Sequence, residues 1–250
     1  MFLPEMSESA DAILLCGGQG LRLKELTGDT PKSIYEIAGK PLIQYSLDHL
    51  VCQHIRRLIF ALDDHAVEVR EWVISREFPG QEIHFSTQSQ PGIVEAVKEA
   101  SSLVQKDIFV VCNTDEIQDK FNLGAFLEFH RGSHTLAATL AVYSNHLYRH
   151  RVLIARETDQ LVLATDLENP TYRTCPEKIA LVNGGLMIIN KAGIKHFDPN
   201  YSAGWSGIID PLCEAGQLSA FVAPEVVYFN VDTPEIYFEA QAYLQQSGQS

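Results

Sequence analysis

No cysteine pair is visible in this sequence: Cys16, Cys52, Cys112, Cys175 and Cys213 are widely spaced, odd in number and never in a C-x-x-C arrangement. That argues against a disulfide framework or a cysteine-based zinc site. His146 and His150 lie four apart without carboxylates at supporting spacing, so they give no metal motif either. No apolar run approaches the length of a membrane span, and the opening MFLPEMSESA lacks the basic start and apolar stretch of a secretory leader. The expectation is a cytoplasmic protein away from membranes. Positive charge is scarce: 19 Lys and Arg face 32 Asp and Glu, a net of −13, which repels nucleic acid and anionic lipid. A small anionic substrate would therefore need a local basic pocket. Linker-like stretches and internal repeats are missing too, so the chain reads as one domain over residues 11–245, with a flexible extension at 1–10 and a polar tail at 246–250.

What is present is alternation. Hydrophobic residues at 46% and charged residues at 20% permit a real core. Runs from Ala12 to Cys16, Arg57 to Leu62, Glu82 to Thr87 and Asp107 to Asn113 read as strands. Between them, Pro41 to Gln53, Ala66 to Phe78 and Gly92 to Val104 carry apolar residues at helical spacing. That order predicts βαβ units, right-handed crossovers and a parallel sheet. After a helix over Phe121 to Gly132, strands are expected at Thr135 to Tyr143, Val152 to Arg156, Gln160 to Asp166 and Ile179 to Asn190, then a last helix from Pro234. The fold class is α/β: a single-domain, Rossmann-like three-layer αβα sandwich with a mixed, mostly parallel sheet.

The first strand runs into Gly17-Gly18-Gln19-Gly20-Leu21-Arg22, with Thr30-Pro31-Lys32 some way beyond. Without Cβ atoms, backbone N–H groups can turn inward onto phosphate oxygens. Arg22 offers a planar fork and Lys32 a mobile point charge. A tight strand-to-loop turn explains the glycines equally well. The dinucleotide fingerprint fits poorly, because the spacing is G-G-x-G, and a Walker loop fails because no glycine precedes Lys24.

The stretch LLCGGQGLRLKELTGDTPKSIYEIAGKPLIQYSLDHL resembles the opening of the sugar-phosphate nucleotidyltransferase family: an apolar strand, G-G-x-G-x-R-L, then P-K and G-K-P-L. The short forms, heptose 1-phosphate and mannose 1-phosphate guanylyltransferases, look closest. The resemblance implies a GT-A-like nucleotidyltransferase fold, and an enzyme that joins a nucleoside monophosphate from a triphosphate to a sugar 1-phosphate with release of pyrophosphate. By the same resemblance Gly17, Gly18, Gly20, Arg22 and Lys32 hold the triphosphate, with Arg22 and Lys32 stabilising charge on departing pyrophosphate. Leu21 stands where the family carries Thr or Ser.

Asn113-Thr114-Asp115 matches the family's N-G-D, and Asp232-Thr233-Pro234-Glu235 lies within a segment like its D-x-G-T-P-E. Asp115 falls at a carboxyl end of the sheet, where open α/β folds bind ligands. Two hard oxygen ligands suit Mg²⁺, which keeps waters and takes phosphate oxygens for the rest. Asp115 and Asp232 are thus the expected metal ligands, with Asp115 also catalytic. A turn aspartate and a helix-capping aspartate are the structural alternatives. Glu116 and Asp119 either assist or are simply solvated.

Gln88-Ser89-Gln90-Pro91-Gly92 resembles the family's base-reading segment, which assigns Gln88 and Gly92 to nucleotide binding. Val182-Asn183-Gly184 resembles its N-x-G sugar segment, giving Asn183 and Gly184 to the acceptor. Glu168-Asn169-Pro170 stands for E-K-P with the lysine missing, so Glu168 joins the acceptor set, and Arg151 is a candidate replacement for the lost charge. The expected partners are a nucleoside triphosphate and a sugar 1-phosphate, without nucleic acid or membrane, and with room for a homo-oligomer. A non-catalytic nucleotide-sugar-binding protein and a nucleotidyltransferase acting on a non-sugar phosphate are the competing readings.

Overall fold

The computed structural model describes residues 10–18, 20–63, 66–142, 152–155, 161–165, 180–201 and 204–247. The first half alternates as its hydrophobic pattern requires: β1 (Ala10–Leu15), α1 (Lys24–Thr27), the short pair β2 (Glu36–Ile37) and β3 (Lys40–Pro41), α2 (Leu42–Cys52), β4 (Arg57–Leu62), α3 (Val67–Ile74), β5 (Glu82–Thr87), α4 (Ile93–Ser101) and β6 (Ile108–Asn113). The second half adds β7 (Glu116–Asp119), α5 (Leu123–Gly132), β8 (Ala137–Val142), β9 (Val152–Ala155), β10 (Leu161–Thr165), β11 (Ala180–Asn190), α6 (Ser206–Glu214), β12 (Leu218–Val222), β13 (Val227–Asn230) and α7 (Pro234–Ser247).

Successive side chains of a strand point to opposite faces, and here both faces are apolar. Leu14, Phe60, Val110 and Cys112 enter one core with the buried sides of α2, α3, α5 and α7. Ile13, Ile59, Phe109 and Val111 enter the other, with Val94 and Val97 of α4 and Ile208, Ile209 and Leu212 of α6. The result is three layers, helices on either side of one sheet. Its seven principal strands run in the order β5-β4-β1-β6-β11-β8-β12, and the β9–β10 hairpin continues from β11. Only β11 opposes the other six, so the sheet is mixed and mostly parallel.

Several boundaries move from their expected places for local reasons. Helix α3 stops at Ile74 rather than Phe78, since Pro79 disfavours helical backbone before it and Ser75 Oγ turns back to Trp72 O at 2.8 Å. Helix α6, which carries no clear sequence signal, holds Pro211 inside it. Proline lacks the N–H that would bond four residues back, and the carbonyl so released, that of Gly207, accepts from Asp198 N–H at 2.9 Å. No helix among the described residues is long and apolar enough to cross a membrane.

Candidate active site

The carboxyl ends of the parallel strands β1, β4, β5 and β6 deliver the glycine turn, Asp63, Gln88 and Asp115 to one edge of the sheet. After β1 the chain needs conformations that residues with side chains avoid: φ is +114° at Gly18 and +56° at Gly20. Gly18 N–H donates to Asp63 Oδ2 at 2.8 Å, which ties the turn to the end of β4. A Cβ on Gly20 would stand 3.2 Å from Lys32 Cβ, so the turn closes directly over the lysine. Leu21, at 67% exposure, projects to solvent at the cavity lip.

Lys32 is the meeting point of the site. Its Nζ donates to Asp115 Oδ2 at 2.7 Å and to Asp232 Oδ1, while Arg22 reaches Asp232 Oδ2 at 2.9 Å. The Lys32 side chain is only 10% exposed, against 64% for Arg22. Burial works against the lysine's charge, but the carboxylates of Asp115 and Asp232 outweigh it, and its pKa is raised. The ammonium therefore stays charged at neutral pH.

Two aspartates so far apart in sequence converge because β7 and β13 pair. In this antiparallel ribbon Glu116 lies opposite Asn230, and just beyond it Val231 N–H donates to Asp115 O at 3.1 Å. Thr114 Oγ1 donates to Leu15 O and Ser46 Oγ to Asn113 O, both at 2.8 Å, fixing the turn that carries Asp115. At the start of α7 the side chain that accepts from Ile236 N–H, at 3.5 Å, is that of Thr233. Asp232 faces the cations instead.

These groups line a cavity of about 570 Å³ together with Gly17, Asn183, Trp205 and Tyr228. A second, of about 440 Å³, shares Leu15, Gly17, Gly18 and Ile93 with it and is bounded by Asp63, Gln88 and Gly92. Gln88 N–H extends the β5–β4 ladder to Leu62 O at 3.0 Å, and Ser89 N–H donates to both oxygens of Glu99 on α4, so this loop is anchored at both sides. Asn183 Oδ1 accepts from Gly185 N–H at 2.8 Å. Gly184 turns from the cavity: a Cβ there would meet Leu140 at 2.9 Å, and its carbonyl accepts from Gln118 Nε2 at 2.8 Å. Glu168, Asn169, Arg151, His146 and His150 lie outside the described residues.

The sequence profile of the family described as nucleotidyl transferase matches residues 11–159, more than half of the chain. The chain belongs to this family. It is 30% identical over 181 residues to a D-glycero-alpha-D-manno-heptose 1-phosphate guanylyltransferase of Campylobacter jejuni, covering 72% of this chain and 76% of that protein. It is 33% identical over 135 residues to a mannose-1-phosphate guanylyltransferase catalytic subunit beta of Drosophila pseudoobscura, covering 52% of this chain and only 36% of that longer protein. Among solved structures, HddC from Yersinia pseudotuberculosis superposes with a TM-score of 0.74 at 23% identity, covering 94% of this chain and 99% of that one, a likeness of fold.

Within this nucleotidyl transferase, Glu116, which the sequence left between an assisting and a solvated role, is placed by the fold. It is buried, not solvated: Asn113 Nδ2 donates to Oε1 at 2.6 Å and Tyr228 OH to Oε2 at 2.9 Å. Burial, then the nearby charge of Asp115, push its carboxyl up to about 8, against the pull of Asn113, Tyr228 and Lys32. The folded chain thus holds a proton that the unfolded chain releases near 4.5. Stability from this proton is complete below that value and is lost as pH rises through about 8. Glu116→Gln, which keeps the shape and cannot ionise, is expected to flatten the fall of Tm between pH 5 and 8 in metal-free protein. Equal slopes for variant and parent would refute the assignment. Asp63 and Trp205 escaped notice. Asp63 was legible as an acid directly after an apolar strand, whereas nothing in the sequence around Trp205 marks it.

Proposed function

We propose that this protein, acting through residues 11–245 in the cytoplasm, transfers a nucleoside monophosphate from a nucleoside triphosphate to a sugar 1-phosphate, with Mg²⁺ as its cation. The observation that carries the reading is the convergence of Asp115 and Asp232 on Lys32 beside the glycine turn. The names of the two similar guanylyltransferases, both acting on sugar 1-phosphates, support the same chemistry.

In the reaction a phosphate oxygen of the acceptor forms a bond to the α-phosphorus as the bond from that phosphorus to the bridging oxygen breaks, and pyrophosphate leaves with the electron pair. The acceptor oxygen is already ionised at neutral pH, so no protein base is required. Cys16 is no nucleophile, since burial pushes its thiol up to about 12. The chain's work is positioning, which can lower the barrier by up to ~7–11 kcal/mol. The glycine turn leaves space for phosphates against its backbone, Arg22 and Lys32 offset charge on the departing group, and Asn183 Nδ2 is a buried donor without a partner among the described residues, suited to a sugar hydroxyl.

Charge balance supports a metal. Among the described residues lining the two cavities, Asp63, Asp115 and Asp232 oppose Arg22 and Lys32, an excess of negative charge even with Glu116 neutral. Two polyanionic substrates need more compensation than that. Asp115 and Asp232 are a pair of hard oxygen donors and not a complete cage, since no group of three or more His, Cys, Asp or Glu converges among the described residues. Such a pair suits Mg²⁺, which binds through one or two carboxylates and takes phosphate oxygens and water for the rest. When bound, the ion lowers the repulsion between the two substrates and polarises the phosphoryl oxygens.

Pyrophosphate release, measured over a panel of triphosphates and sugar 1-phosphates, is expected with at least one pair, to require Mg²⁺ and to stop with EDTA. Tight nucleotide binding without turnover on any sugar 1-phosphate or other phosphate acceptor would replace this reading with that of a binding protein.

A further inference from the structure

The smaller cavity contains one charged side chain among its described lining residues, that of Asp63. Asp63 follows the last residue of β4, at the carboxyl edge of the sheet, and faces the chamber bounded by Gly17, Gly18, Gln88 and Gly92. Its position is defined on one side by the 2.8 Å bond from Gly18 N–H to Oδ2. On the same side it abuts Gly17, where a Cβ would stand 3.3 Å from Oδ2. A carboxylate accepts at about four lone-pair positions and can serve the turn and a ligand at once.

We infer that Asp63 reads a guanine base, accepting from its N1–H and N2–H₂, and so determines the choice of nucleoside triphosphate. The inference rests on the reading of the site as a nucleotide site. Guanine is the one common base whose Watson–Crick edge places two donors side by side, and an ionised carboxylate is the one side chain with two adjacent acceptors and no donor. Uracil and thymine flank a single N–H with two carbonyl oxygens, which the carboxylate would repel. Adenine and cytosine set a ring-nitrogen acceptor beside their amino group, again opposing it. Gln88, at the end of β5, supplies the donor that guanine O6 needs, and its carboxamide alone would not choose among the bases. The cavity joins the larger one at Gly17, Gly18 and Ile93, so a base in the smaller chamber leaves its phosphates beside the glycine turn.

The test is calorimetric binding of GTP, ITP and UTP with Mg²⁺ to the full chain and to Asp63→Asn, with pyrophosphate release on sugar 1-phosphates followed in parallel. Inosine lacks the N2 amino group and differs from guanosine nowhere else. Wild-type protein is expected to bind GTP roughly 10- to 100-fold more tightly than ITP or UTP, the range of a hydrogen bond to a charged group. Asp63→Asn, which still offers an oxygen to Gly18 N–H, should bring GTP and ITP within about threefold of one another. Wild-type protein that does not separate GTP from ITP overturns the inference without any variant. So does an Asp63→Asn protein weakened equally toward all three nucleotides, which would mean that the carboxylate only holds the turn. Transfer that is best with UTP and indifferent to Asp63 would sink the inference and keep the proposed function. Asp63-dependent selectivity for GTP without transfer to any acceptor would do the reverse.

Discussion

Asp115→Asn and Asp232→Asn should each lower pyrophosphate release by about 10²–10³-fold, the scale of removing one preorganised charge-stabilising group from an active site. Each single variant should remain folded, because Lys32, lying between both carboxylates, keeps the other as its partner. The double variant differs. Its turnover should be little worse than that of either single, since groups acting as one site lose their function together. Its melting temperature should nonetheless fall well below both, because a lysine side chain with 10% exposure then has no carboxylate at its ammonium. Measuring kcat and Tm for the three variants separates the catalytic loss from the structural one. A single variant keeping more than about a tenth of wild-type turnover would remove that carboxylate from the chemistry.

Gly185→Ala is expected to cost more than about 3 kcal/mol of stability, combining left-handed backbone strain with overpacking. Gly185 has φ +71°, and an added Cβ would lie 1.7 Å from Glu116 Oε2 and 2.5 Å from its carboxyl carbon. The Glu116 carboxyl cannot easily withdraw, because Asn113 and Tyr228 hold its two oxygens. Urea denaturation of Gly185→Ala, Glu116→Ala and the double variant tests this as a cycle. The clash is relieved when Glu116 is shortened, so the double variant should be clearly more stable than the sum of the singles predicts. A loss below about 1 kcal/mol for Gly185→Ala, or strict additivity, would show that the collision is absorbed elsewhere. Turnover should fall along with stability, since Glu116 is joined in sequence to Asp115 and Asn113 lines the same cavity.

The alternation of β1, β4, β5 and β6 with α2, α3 and α4 was legible because β1, β4 and β6 are apolar on both faces, β5 alternates Ile83 and Phe85 with polar residues, and each helix is apolar on one face, and these periods differ. The same reasoning reached the glycine turn, since glycines after an apolar strand announce backbone that residues with side chains avoid. It failed in the stretch between Asn190 and Pro234. There α6 holds a proline in its interior, and β12 and β13 are four or five residues long, too short for a period to register. It left Glu116 open between an assisting and a solvated role, because Tyr228 and Gly185, which pack against its carboxyl, lie far from it in the chain.

Local sequence determined which elements form and which residue types stand at the carboxyl ends of the strands, because periodicity and turn chemistry act over a few neighbours. It could place Asp115 after one strand and Asp232 before the last helix. That both meet Lys32 was decided by the pairing of β7 with β13, a contact between segments over a hundred residues apart. The state of Glu116 was decided in the same way. Burial and charge depend on what packs around a group in space, and no neighbour in the chain specifies that.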